Sequence, residues 1–175
     1  YGGGLAGRMR LLREIVEGVR AEWPTDRPVF VRLSISDDAD PGWSFEDTCT
    51  LVAALKERGV DVIDCSSGGL TKAGFAIRGR HVVGYQVGLA EQVRRATGMT
   101  CMAVGLITHG RQAEEILQAG QADLVAVGRA ALDDPNWALH AAADLGVDGG
   151  FAAWPVQYGW WLDLSARERA RLRER

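Results

Sequence analysis

The chain has 175 residues, 47% of them hydrophobic and 25% charged, with a net charge of −3. That composition describes one folded domain, residues 1–175, with a substantial core, and it excludes wholesale disorder. Basic residues scattered through a mildly acidic chain offer no nucleic-acid surface, and no stretch is apolar and long enough to span a membrane.

The first predicted element is a helix with Met9, Leu12, Val16, Val19 and Trp23 on one inward stripe, closed by Pro24. A β-branched run, VFVRLS, follows from Val29. Ser44 and Asp47 approximate a capping box for a second helix, which carries Leu51, Val52 and Leu55 and stops at Gly59. The run VDVIDCSSG from Val60 reads as a second strand, and Tyr85 to Thr97 reads as a third helix, ended by Gly98. Then come MTCMAVG from Met99, a helix from Arg111 to Gln118 stopped at Gly120, and ADLVAVGR from Ala122. Asp134-Pro135 predicts a fifth helix start, aspartate capping and proline in the first turn. The terminal SARERARLRER is a charged helix end with little to bury. No linker divides the chain, which begins at Tyr1 within a glycine turn, as a piece of a longer polypeptide would.

Strand and helix therefore alternate through about four βα units plus a tail. Runs that are apolar on both faces fit parallel strands covered by helices. Such a series is half of an eight-fold (β/α)8 TIM barrel or most of a doubly wound sheet. Serine and glycine cluster after every strand, at Ser34–Asp37, Ser66–Gly69, Gly105–Thr108 and Gly128-Arg129. In a barrel these loops share one face, and the last two build a phosphate site: glycine admits close backbone approach and arginine adds charge-assisted bonds. The nucleotide fingerprint G-x-G-x-x-G is absent, because Gly2-Gly3-Gly4 has no strand before it.

The remaining candidates are weaker. His81, His109 and His140 lack metal-ligand spacing and read as surface residues. Asp37, Asp38 and Asp40 lack the glycine and distal glutamate of a calcium loop and read as solvated. Cys49, Cys65 and Cys101 contain no C-x-x-C pair and suit free thiols in a reducing cytoplasm. No charged and then apolar leader opens the chain.

The succession YGG, LLREIV, FVRLS, GVDVIDCSSGG, GYQV, AVGLIT, ADLVAVGRAALDDPNW and PVQY resembles the C-terminal half of an old yellow enzyme. Among these, it is most similar to the branch of xenobiotic reductases and thermophilic-type ene-reductases. The resemblance implies an α/β TIM barrel, here its C-terminal half, that binds FMN, is reduced by NAD(P)H and reduces activated alkenes. It further implies a cytoplasmic protein that is homo-oligomeric when complete. By the same resemblance, Arg32 reaches the flavin ring near N1 and C2=O, and a fixed cation there stabilises the anionic reduced ring. The bland alternative pairs Arg32 with a carboxylate such as Asp64. Gly105, Gly128 and Arg129 match the phosphate cradle. Leu106 is a candidate for the dimethylbenzene side or the core, Ser66 and Ser67 face the flavin or cap their loop, and Trp161 is a candidate wall of the substrate pocket. The family's His-x-x-His or His-x-x-Asn pair and its tyrosine proton donor belong before the matched segment, so no catalytic residue is assigned in this chain. The competing expectation is a non-catalytic, phosphate- or FMN-binding half-barrel that self-associates, since open sheet edges need covering.

Overall fold

The computed structural model describes residues 1–37, 39, 42–68, 82–147 and 150–173. Asp38, Asp40, Gly69 and His81 lie outside the described residues. The described elements are α1 (Leu5–Glu22), β1 (Phe30–Ser34), α2 (Phe45–Lys56), β2 (Val62–Ser66) and α3 (Val87–Thr97). They continue with β3 (Thr100–Ala103), α4 (Gly110–Gln118), β4 (Leu124–Val125), α5 (Arg129–Asp133), α6 (Trp137–Asp144) and α7 (Val156–Arg173).

The strands form one parallel sheet in the order β1-β2-β3-β4. Sequential order without reversal is how a barrel wall is wound, whereas a doubly wound sheet reverses direction at its switch point. Among the described residues this is a four-stranded arc of barrel wall. The register sets Arg32, Asp64, Met102 and Leu124 in one row across it.

Ile35, Val52, Leu55, Ile63 and Val93 are fully enclosed in the core between strands and helices. Strand β1 departs from the expectation of cover on both faces. It buries Val31 and Leu33 but leaves Phe30, Arg32 and Ser34 exposed. The helices cover one side of β1, and the exposed positions belong to the side that forms a barrel's interior. Helix α1 also differs from its predicted stripe: Met9 and Val16 are buried, but Val19 and Trp23 are exposed beside Leu11 and Ile15. The helix carries two apolar stripes, and the first joins the core.

The N-terminal ends of the strands repeat one device. Asp61 accepts from the Val29 amide at 2.7 Å and pairs with Arg20 of α1, which also donates to the Gly59 carbonyl at 2.7 Å. Asp123 accepts from the Cys101 amide at 2.9 Å and pairs with Arg94 of α3, which donates to the Gly120 carbonyl at 3.1 Å. Each half of the arc is therefore one α-β-α-β unit tied by the same Arg–Asp clip. This end of a barrel carries stability, not chemistry.

Helix α2 has the expected capping box: the Ser44 hydroxyl accepts from the Asp47 amide at 3.1 Å, and Asp47 accepts from the Ser44 amide. Ser44→Ala is expected to cost about 1 kcal/mol, read as a lower unfolding midpoint in denaturant. The thiols are free, with Cys65 and Cys101 buried. A hydrogen bond that Cys65 donates to Cys101, with burial, pushes the Cys65 thiol far up. Cys49 is the thiol expected to react with a disulfide reagent in the folded protein, and Cys65 and Cys101 only on unfolding. Among the described residues no helix is long and apolar enough to cross a membrane.

Candidate functional site

At the C-terminal ends of the strands, the loops after β3 and β4 border a hollow of about 550 Å³. That volume suits a small-molecule ligand. Arg32, Gly105, Leu106, Gly128 and Arg129 all line it, so five of the residues singled out from the sequence converge on one space.

The loop after β3 is built under strain and then fixed. Gly105 has φ +113°, and a Cβ there would lie 3.0 Å from the Tyr85 ring. The next residue, Leu106, has φ +52°, which side-chain-bearing residues adopt at a cost of about 1–3 kcal/mol. Gln112, buried in the first turn of α4, holds that conformation: its Oε1 accepts from the Thr108 amide at 2.9 Å, and its Nε2 donates to the Leu106 carbonyl at 3.1 Å. Trp137 of α6 donates from Nε1 to the Thr108 carbonyl at 2.8 Å. The loop is thus stapled from both flanks. His109, expected merely on the surface, is exposed and also caps α4, its Nδ1 accepting from the Gln112 amide at 3.2 Å.

After β4 the chain turns at Gly128 straight into α5, a short helix that the sequence reading did not foresee. Gly128 has no side chain to cap the helix, and a Cβ at this position would meet nothing within 4 Å. Ala131 and Leu132 donate to the Gly128 carbonyl, and the amides of Arg129 and Ala130 before them have no intrahelical acceptor. Arg129 is exposed beside them and makes no ion pair among the described residues. Amides plus a free guanidinium, next to a strained glycine loop, fit a phosphate group.

Arg32 makes the bland pairing and also lines the hollow. Its Nη1 donates to Asp64 Oδ2 at 2.8 Å, the bland pairing, and the side chain is still 57% exposed on the wall of the hollow. The fork has five donors, and a single one has a partner among the described residues. The others are available to a ligand with acceptor atoms at one edge.

Three expected residues stand elsewhere. Ser66 is buried, is absent from the lining, and donates its hydroxyl to the Leu33 carbonyl at 3.0 Å. Ser67 likewise ties to the Ser36 carbonyl at 2.9 Å. Trp161 lies on α7, 62% exposed, against Trp160 with ring centroids 4.6 Å apart, and it does not line the hollow. Conversely, Tyr85, Gln86, Thr108 and Trp137 line it without having been singled out. Tyr85 and Gln86 sit in the GYQV motif already noticed, and a glutamine on the buried face of α4 was the signal for Gln112.

The predicted helix start at Asp134 is corrected. Helix α6 opens at Trp137 after Asn136, while the Asp134 carboxylate accepts from the Asn136 amide at 3.0 Å and meets His140 Nδ1 at 2.6 Å. The hydrogen bond from His140 holds the Asp134 carboxyl below its usual range. This contact is therefore in place above the ordinary carboxylate range and is lost as pH falls through the depressed value.

Residues 1–147 match the family described as NADH:flavin oxidoreductase / NADH oxidase. The NADPH dehydrogenase of Bacillus subtilis (strain 168) is 46% identical over 162 residues, which cover 91% of this chain and 45% of that protein. The NADPH dehydrogenase of Geobacillus thermodenitrificans (strain NG80-2) is 44% identical over 162 residues, again 91% and 45%. Among solved structures, a 2-naphthoyl-CoA reductase in complex with 2-naphthoyl-CoA superposes with a TM-score of 0.70 at 26% identity, covering 83% of this chain and 22% of that one. The chain spans less than half the length of these relatives.

Proposed function

The chain belongs to the NADH:flavin oxidoreductase / NADH oxidase family, and from that premise we propose that it is the phosphate-binding half of an FMN-dependent NAD(P)H oxidoreductase that reduces activated alkenes. The observation that carries this reading is the convergence of Arg32, Gly105, Gly128 and Arg129 on one hollow.

Bound FMN would supply hydride chemistry: two electrons and a proton arrive from NAD(P)H as hydride and leave as hydride to the alkene β-carbon, and the reduced ring carries one negative charge. The chain's own residues bind and orient. Arg129 and the first amides of α5 would take the phosphate, with Gly105 and Gly128 keeping side chains out of its way. Leu106 would offer an apolar contact on the hollow's wall. Arg32 would place a permanent cation at the ring's N1 edge, where negative charge develops. Groups that bind the alkene carbonyl or deliver its proton are assigned to the half of the barrel that precedes this one in the relatives. We assign the complete protein to the cytoplasm, as a homo-oligomer. Trp161 stays a candidate for the substrate pocket only through a part of the protein outside this arc, since it does not line the hollow that Arg32 and Arg129 share.

The full-length protein tests the reading. It is expected to purify yellow, to release flavin on denaturation, and to oxidise NADPH when an α,β-unsaturated ketone is supplied. A colourless full-length protein that takes up no FMN would sink it. If this half-barrel proves a soluble, cooperatively folded dimer that binds FMN but oxidises no NADPH even with the rest of the barrel present, the self-associating module is the better account.

A further inference from the structure

Asp64 is costly where it stands. Its side chain is 11% exposed, and one carboxylate oxygen, Oδ1, is fully enclosed with no hydrogen-bond partner among the described residues. Buried polar atoms are almost always hydrogen-bonded, and a carboxylate oxygen left without a partner is destabilising. The neighbours of Asp64 in register are Arg32 on one side and Met102 on the other, so one of the two offers a charge to pair with. Among the described residues its side chain has a single partner, Arg32 Nη1 at 2.8 Å. The carboxylate thus grips one nitrogen of the fork and leaves the rest of it exposed on the wall of the hollow.

We propose that Asp64 is a positioning residue for the flavin: it fixes the plane of the Arg32 guanidinium toward the N1 edge of the ring, and its charge partly offsets that cation and so sets the flavin's reduction potential. The inference rests on the FMN reading above. An arginine alone would favour the anionic reduced ring strongly. The buried carboxylate beside it restrains that preference, leaving reduced flavin a ready hydride donor. Two electrons and one proton enter the ring in reduction and leave in reoxidation, so what Asp64 alters is the relative binding of the two oxidation states.

Asp64→Asn in the full-length, flavin-loaded protein keeps an oxygen acceptor for Arg32 and deletes the charge. Reduced flavin is expected to gain about tenfold over oxidised flavin, an upward shift of about 30 mV for this two-electron couple, read by equilibration against a redox dye. Oxidised FMN should bind within about threefold of wild type, because its ring is neutral. An unshifted or lowered potential in a variant that holds FMN normally overturns the proposal and leaves the FMN reading standing. A wild-type protein that binds no FMN overturns both. If Asp64→Asn does not fold, Arg32→Lys carries the question. Lysine keeps the charge but, as a point charge drawn to Asp64, cannot also span to the ring, so reduced flavin should be disfavoured by about tenfold. An unchanged potential there overturns the proposal as well.

Discussion

Arg129→Ala in the full-length protein is expected to weaken FMN binding by roughly 10- to 100-fold, since charge-assisted bonds to phosphate are worth about 1.5–3 kcal/mol and each 1.4 kcal/mol is tenfold. Arg129 is exposed at the first position of α5 and bonds no other described side chain. Its loss should therefore leave the unfolding midpoint of the flavin-free protein unchanged. Titration with FMN and with riboflavin separates the effects: only FMN carries the phosphate, so the variant should bind riboflavin as wild type does. Equal losses for both ligands would place Arg129 away from the phosphate. Arg129→Lys should recover part of the affinity, since a lysine holds phosphate as a point charge without the fork.

Gln112→Ala is expected to have the larger effect on folding. The side chain is buried, and it alone joins the Thr108 amide to the Leu106 carbonyl across the strained turn. Truncation deprives both groups of their partner, at about 1–3 kcal/mol for each that stays enclosed. It also frees Leu106 to leave its φ of +52°. Two readouts should move together: a lower unfolding midpoint and a weaker affinity for FMN. Leu106→Gly in the same background should restore part of the stability, because glycine adopts positive φ without penalty. A Gln112→Ala protein with wild-type stability and affinity would show that the turn is held by something else.

The sequence made the βα alternation legible because each strand is a short β-branched run and each helix carries its own stop signal, such as Gly98 at φ +60° after α3. The Ser44–Asp47 box was readable for the same reason, as a local motif that needs no tertiary context. Where the reading failed, distant parts of the chain decide. Leu11, Ile15 and Val19 repeat at four-residue steps as regularly as Met9, Leu12 and Val16 do at steps of three and four, and the choice of stripe is made by docking. The single-sided cover of β1 follows from curvature of the wall, which a linear pattern of apolar residues does not encode. Helix α5 was hidden because Gly128 lacks a capping side chain, and the aspartate and proline further on advertise a start that the chain uses as a turn. At the site, Gly105, Gly128 and Arg129 stood out because glycine and arginine at strand ends are chemically conspicuous. Gln112 acts through a loop four to six residues upstream, and only the folded turn reveals what it holds.

The account rests on the hollow between the β3 and β4 loops being a flavin-phosphate site. Its most direct test is a titration of the full-length, flavin-stripped protein with FMN, followed by the quenching of flavin fluorescence, in wild type and in Arg129→Ala. Saturable one-to-one binding that loses at least tenfold in affinity in the variant is the predicted result. Binding of equal strength in both proteins, or none in wild type, would contradict it.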